Sequence, residues 1–200
     1  LGKILLNINV PKQSNHAGCW AVSASALANA VGNGPHTEAS LVQKYKTELT
    51  KAGSFSVTKA LAGLNIASTD RRVEGADFNS IIEEIRSSID NDKPVVVGIK
   101  VANDALKWKA DGAPFTMGHA LVCFGYHEAN SGQLFFKDPA RPDDNRLIYN
   151  AKELKDGFVY MNISDLGPQT REKLVVSDGQ GAIVMKMSSA VIMTSSSAST

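Results

Sequence analysis

From Ile4 to Val10 every second residue is apolar (Ile4, Leu6, Ile8, Val10) up to Pro11. That is the period of a strand with one face toward a core. A polar, turn-like stretch leads into Cys19, Trp20 and a run of small residues from Ala21 to Ala30. So many alanines and serines predict a helix that can lie close against neighbours on almost every side. It stops near Gly32-Asn33-Gly34-Pro35, where glycine and proline together break a helix. Thr37 is an N-cap for a second helix reaching about Leu49, with Leu41, Val42, Tyr45 and Leu49 on one face. A shorter helix around Thr58–Leu64 and a loop or weak strand over Ile66–Val73 follow. Asp77 caps the clearest helix, Phe78 to about Asp90, in which Phe78, Ile81, Ile82, Ile85 and Ile89 recur at helical spacing.

The second half of the chain is patterned for strands. Pro94-Val95-Val96-Val97-Gly98-Ile99 predicts a buried strand, followed by a polar stretch with Trp108 and Gly112. Gly118 to Tyr126 and Phe135 to Lys137 predict two strands joined across Glu128–Gly132, turn chemistry that suits an antiparallel hairpin. His119, Leu121 and Cys123 then share one face of their strand. Further strands are expected at Arg146–Tyr149, Gly157–Ile163, Leu174–Ser177 and Ala182–Met187. Helices first and antiparallel strands afterwards predict an α+β fold, with a helix end facing a sheet across a cleft.

Composition narrows this picture. Two hundred residues, 43% of them hydrophobic, can bury a real core. The length suits one catalytic domain over residues 1–190, helical over about 12–92 and sheet over about 93–190. Residues 191–200 form a low-complexity tail of serine, alanine and threonine with little to bury. A net charge of +1 offers no polybasic footprint for nucleic acid or anionic lipid. No apolar run approaches the roughly 20 residues of a membrane helix, and the first ten residues lack the basic start and apolar core of a secretory signal. The two cysteines permit one disulfide at most, and both are expected to be free thiols.

The chemistry gathers around Cys19. A thiol at the start of a helix meets N–H groups without intrahelical partners and the positive end of the macrodipole, which favour the nucleophilic thiolate. Gln13, six positions earlier, can set its amide beside the Cys19 N–H as a second oxyanion donor. His119 supplies a base and Asp138, before Pro139, a carboxylate to orient it. The order along the chain is Gln, Cys, His, Asp.

Cys-Trp opening a helix, a glutamine six before it and Gly118-His119-Ala120 heading a strand resemble the papain-like cysteine peptidases. Within that group the chain resembles compact bacterial members: the staphopains, the bacteriocin-leader processing peptidases with their Asp-Pro, and secreted effector proteases. Three departures stand out. Papain and the cathepsins carry a cysteine upstream of the nucleophile and place the histidine roughly 130–150 residues after it. Here the sequence is His16-Ala17-Gly18-Cys19-Trp20, the histidine follows 100 positions later, and Asp138 stands where those enzymes use asparagine. The resemblance implies a papain-like fold and a secreted endopeptidase acting as a monomer. Its partners would be a protein or peptide substrate and a pro-segment or protein inhibitor, with no cofactor, metal, nucleic acid or membrane.

Competing readings use the same residues. Cys19 alone could be a buried structural thiol, His119 a core histidine, Asp138 a strand-ending turn and Gln13 a loop amide. Trp20 and Cys123 are expected to pack rather than react. His16 and His127 are alternative bases, and Asp143 and Asp144 alternative carboxylates. A zinc site recruiting Cys19, His16, Cys123 and His119 lacks the second closely spaced ligand pair. Cys, His and Asp in this order also serve acyl transfer to amines and glutamine deamidation. A non-catalytic peptide binder would be expected to have lost Cys19, His119 or Gln13.

Overall fold

The computed structural model describes residues 2–15, 17–52, 56–72, 78–100, 119–129, 133–140, 147–149, 159–160, 170–173 and 182–188. The strand β1 (Lys3–Leu6) precedes helices α1 (Cys19–Ala30), α2 (Glu38–Lys44), α3 (Lys46–Ala52) and α4 (Val57–Ala62). After β2 (Ser68–Arg72) and α5 (Phe78–Asp90) come β3 (Val95–Lys100), β4 (His119–His127), β5 (Leu134–Lys137), β6 (Leu147–Tyr149), β7 (Val159–Tyr160), β8 (Thr170–Lys173) and β9 (Ala182–Ser188). This is the expected α+β arrangement, helices ahead of an antiparallel sheet.

The sheet runs β2-β9-β3-β4-β5-β6-β7, with β1 joined to β4 and β8. Its spine from β3 to β7 is antiparallel. The edges are not: β9 lies parallel to both β2 and β3, and β8 parallel to β1. A two-residue period reports which face a side chain takes but not which way its partner runs. β4 is the longest strand and has three partners. It pairs His119–Cys123 with β3 and Gly125–His127 with β1, while β5 lies along Val122–Tyr126. Residues 120–126 are buried without alternation, as in a strand covered on both faces. A Cβ on Gly125 would meet the Ile4 carbonyl and the Leu5 side chain, so glycine lets β1 close on β4 there.

α1 is buried from Trp20 to Ala28 and packs on α2, α4 and β4. Its alanines and serines are what permit so many close neighbours. It ends at Gly32 (φ 77°), with Gly32 N–H on Asn29 O and Asn33 N–H on Ala28 O. This is the glycine-terminated stop that the Gly-Asn-Gly-Pro run predicts. Thr37 caps α2 as expected: its Oγ1 accepts Ser40 N–H at 3.1 Å and its own N–H donates to Ser40 Oγ at 3.0 Å. The second helix is broken, however, at Tyr45 (φ −107°, ψ 22°). The buried Tyr45 ring meets Trp20 edge-on at 6.2 Å and its hydroxyl donates to Ala60 O at 3.3 Å. Tertiary packing at this aromatic pair ends α2 one residue before α3 starts.

Ile81, Ile82, Ile85 and Ile89 bury the periodic face of α5, which packs on β1, β3 and β4. Tyr126 on β4 donates to Asp90 Oδ1 at 2.5 Å, tying that helix to the strand. The weak strand expected near Ile66–Val73 is β2, at the sheet edge. β8 lies at Thr170–Lys173, ahead of the strand expected at 174–177. Residues 174–177 lie outside the described residues, as do Asp77, Trp108, Gly112 and the 191–200 tail.

Candidate active site

Cys19 opens α1. Gly18 caps without a side-chain hydrogen bond, and the first turn holds no acidic residue. The positive end of α1 therefore faces the thiol. Across from it, β4 begins at His119, so that one strand end delivers both the imidazole and the Ala120 N–H to the sulfur. Asp138 follows β5, which pairs with β4, and its carboxylate is 2% exposed. Its Oδ1 lies 2.7 Å from His119 Nε2 and accepts Ala140 N–H at 2.8 Å. With Nε2 engaged, Nδ1 is the ring nitrogen left for the thiol.

The electrostatics follow from this contact. Burial alone would raise the Cys19 thiol, but the hydrogen bond and charge of His119, with the Ala120 and Trp20 N–H groups, bring it below the ordinary thiol range. Burial likewise disfavours the His119 cation. Burial is the largest single influence, but the hydrogen bonds to Asp138 and Cys19 and both partners' charges together outweigh it, and His119 is raised to about 9. Each shift favours the charged form of its group, thiolate beside imidazolium. Cys123, four residues along the same strand, is wholly buried and pushed up to about 12.

Gln13 lies on the turn before α1. Its N–H donates to Pro139 O at 2.8 Å and its Nε2 to Asn15 O at 2.9 Å. The first bond joins the glutamine turn to the turn that carries Asp138. The structure thus brings Cys19, His119 and Asp138 into contact and sets Gln13 on a turn tied to both ends of the group. His127 is at the far end of β4, about 27 Å from His119 at the rise of an extended strand, and its Nδ1 accepts Ala129 N–H at 3.1 Å. It is not a base for Cys19. His16, Asp143 and Asp144 lie outside the described residues.

Two features escaped sequence reasoning. Glu38, beside the Thr37 cap, looks like an ordinary first-turn acid, yet its carboxylate reaches across to Ser14 and Asn15. A pocket of about 300 Å³ also opens beside the turn before α1, lined by Ala17, Gly18, Trp20, Val42, Leu49 and Lys46 among others. Its wall comes from α2 and α3, whose break at Tyr45 no periodicity marked.

A thiol lowered by an imidazole and a helix end is the working group of the cysteine peptidases, and the α+β frame around it relates the chain to the papain-like ones. Family comparison agrees. The Peptidase_C39 like family matches residues 5–167, and the chain belongs to it. β8 and β9 lie beyond the matched residues. No curated protein matches the sequence.

Proposed function

We propose that the chain is a cysteine endopeptidase in which Cys19 is the nucleophile, His119 the acid and base, Asp138 the orienting carboxylate and Gln13 an oxyanion donor. The observation that supports this most is the His119 ring engaged on one side by the Cys19 thiol and on the other by Asp138 at 2.7 Å. The Cys19 thiolate attacks the peptide carbonyl, forming a C–S bond and placing negative charge on the carbonyl oxygen. The Cys19 N–H and the Gln13 amide stabilise that charge. The tetrahedral adduct collapses as the C–N bond breaks, and the leaving amine takes its proton from His119. Water then adds to the thioester, giving its proton to His119, and the acid product departs as the C–S bond breaks.

Iodoacetamide labelling across pH, read by peptide mapping and paired with peptide hydrolysis, tests this. Selective alkylation of Cys19 near pH 6 that His119→Ala abolishes, together with peptide cleavage, is the expected result. Equal slow alkylation of both cysteines would remove the nucleophile assignment. Exclusive transfer of the acyl group to an added primary amine would make the chain an acyltransferase instead.

A further inference from the structure

The turn before Cys19 is closed around one residue, Asn15. The Asn15 carbonyl accepts both the Gln13 Nε2 amide and the Gly18 N–H, each at 2.9 Å. Asn15 Oδ1 takes the Ala17 N–H at 3.0 Å. One carbonyl thus holds both the glutamine amide and the entry into α1, where the Cys19 N–H emerges. What holds Asn15 itself comes from a different helix. Glu38 Oε1 accepts the Asn15 N–H at 3.1 Å, and Oε2 accepts the Ser14 N–H at 2.7 Å and the Ser14 hydroxyl at 3.0 Å. Gly18 lies flush against the same carboxylate, because a Cβ there would collide with Glu38 Oε1 and stand 2.8 Å from its Cδ.

We propose that Glu38 is a positioning residue for the oxyanion site: through Asn15 it fixes where the Gln13 amide and the Cys19 N–H point. The proposal rests on the peptidase reading above. Glu38 touches neither the thiol nor a substrate carbonyl, so its role appears only in steps that build charge on oxygen. It is half-buried and anchored by α2, whose start is fixed by the Thr37–Ser40 capping pair. Three charge-assisted hydrogen bonds to one carboxylate make a stiffer support than the loop's own neutral bonds.

The test separates oxyanion chemistry from thiol chemistry. Alkylation of Cys19 by iodoacetamide forms an S–C bond and expels iodide without any oxyanion. Addition of Cys19 to a peptide aldehyde forms a thiohemiacetal whose oxygen occupies the oxyanion site. Glu38→Gln keeps the shape but presents an NH₂ group to one set of donors, and Glu38→Ala removes the support. Both are expected to lower kcat and weaken aldehyde binding by about 10- to 100-fold, the scale of a small misplacement. KM and the pH profile of alkylation stay unchanged. Gly18→Ala, which displaces the carboxylate, should give the same pattern and add little to Glu38→Ala.

Hydrolysis and alkylation falling together, or aldehyde affinity unchanged in Glu38→Gln, would overturn the assignment. A wild-type protein that binds the aldehyde but cleaves no peptide would overturn the peptidase reading alone, with the aldehyde ratio still deciding on Glu38. One that binds no aldehyde overturns both.

Discussion

Cys19 and Cys123 carry the same thiol, and burial raises the pKa of both, yet one ends below the ordinary range and the other at about 12. Both also receive two backbone hydrogen bonds, Cys19 from Trp20 and Ala120, Cys123 from Gly125 and Phe135. Neutral N–H groups therefore do not separate them. What separates them is position along β4. The strand begins with a histidine that Asp138 keeps cationic, and Cys19 meets that end. Cys123 sits inside the strand, where no charged group among the described residues reaches it. Backbone bonds soften desolvation, while an adjacent cation reverses it.

The largest test of this contrast is to delete each thiol in turn. Cys19→Ala should lower peptide hydrolysis by at least about 10⁴-fold, whereas Cys123→Ala should leave kcat per folded molecule unchanged. Next comes the cation. Hydrolysis should rise with pH as Cys19 ionises and fall again above about 9, when His119 loses the proton it gives to the leaving amine. Asp138→Asn removes the strongest influence raising His119, so the alkaline limb should move to lower pH and kcat fall by about 10³- to 10⁴-fold. A pH–rate profile in which that limb does not move would detach Asp138 from the imidazole.

A smaller effect sharpens the division between making the thiolate and using it. Gln13→Ala should cost about 10²- to 10³-fold in kcat, the range for one oxyanion donor, with Cys19 alkylation untouched. Loss of both would mean that the turn supports the nucleophile itself. The smallest effect belongs to the inert thiol. Cys123→Ala should lower stability by about 1 kcal/mol, as for other single-atom losses in a packed core, read as a denaturant midpoint with unchanged slope.

Much of this arrangement was legible before the fold was known, for identifiable reasons. Cys19 at a helix start, Thr37 at a cap and the α5 isoleucines are local signals, and local physics suffices to read them. His119 and Asp138 were legible as strand-end residues because β3, β4 and β5 are strongly apolar. The break at Tyr45 was hidden, since Leu41, Val42, Tyr45 and Leu49 keep helical spacing through it and only the Trp20 contact explains it. The parallel pairings of β8 and β9 were hidden because side-chain alternation is blind to partner direction. Glu38 was masked by its own plausibility: beside a capping threonine, an acid already has a reason to be there.

The 100 positions from Cys19 to His119 also set an order of events during translation. α1 is a local structure, but the cation that lowers the pKa of its first residue is made later, by roughly 5–20 s at ribosomal rates of 5–20 residues/s. It then has to be carried into place by β4, whose pairing with β1 closes a loop longer than half the chain. Contacts so distant in sequence form late. Throughout that interval the nascent polypeptide carries an ordinary, unreactive cysteine. The enzyme's own topology keeps it harmless to its surroundings until the sheet has closed.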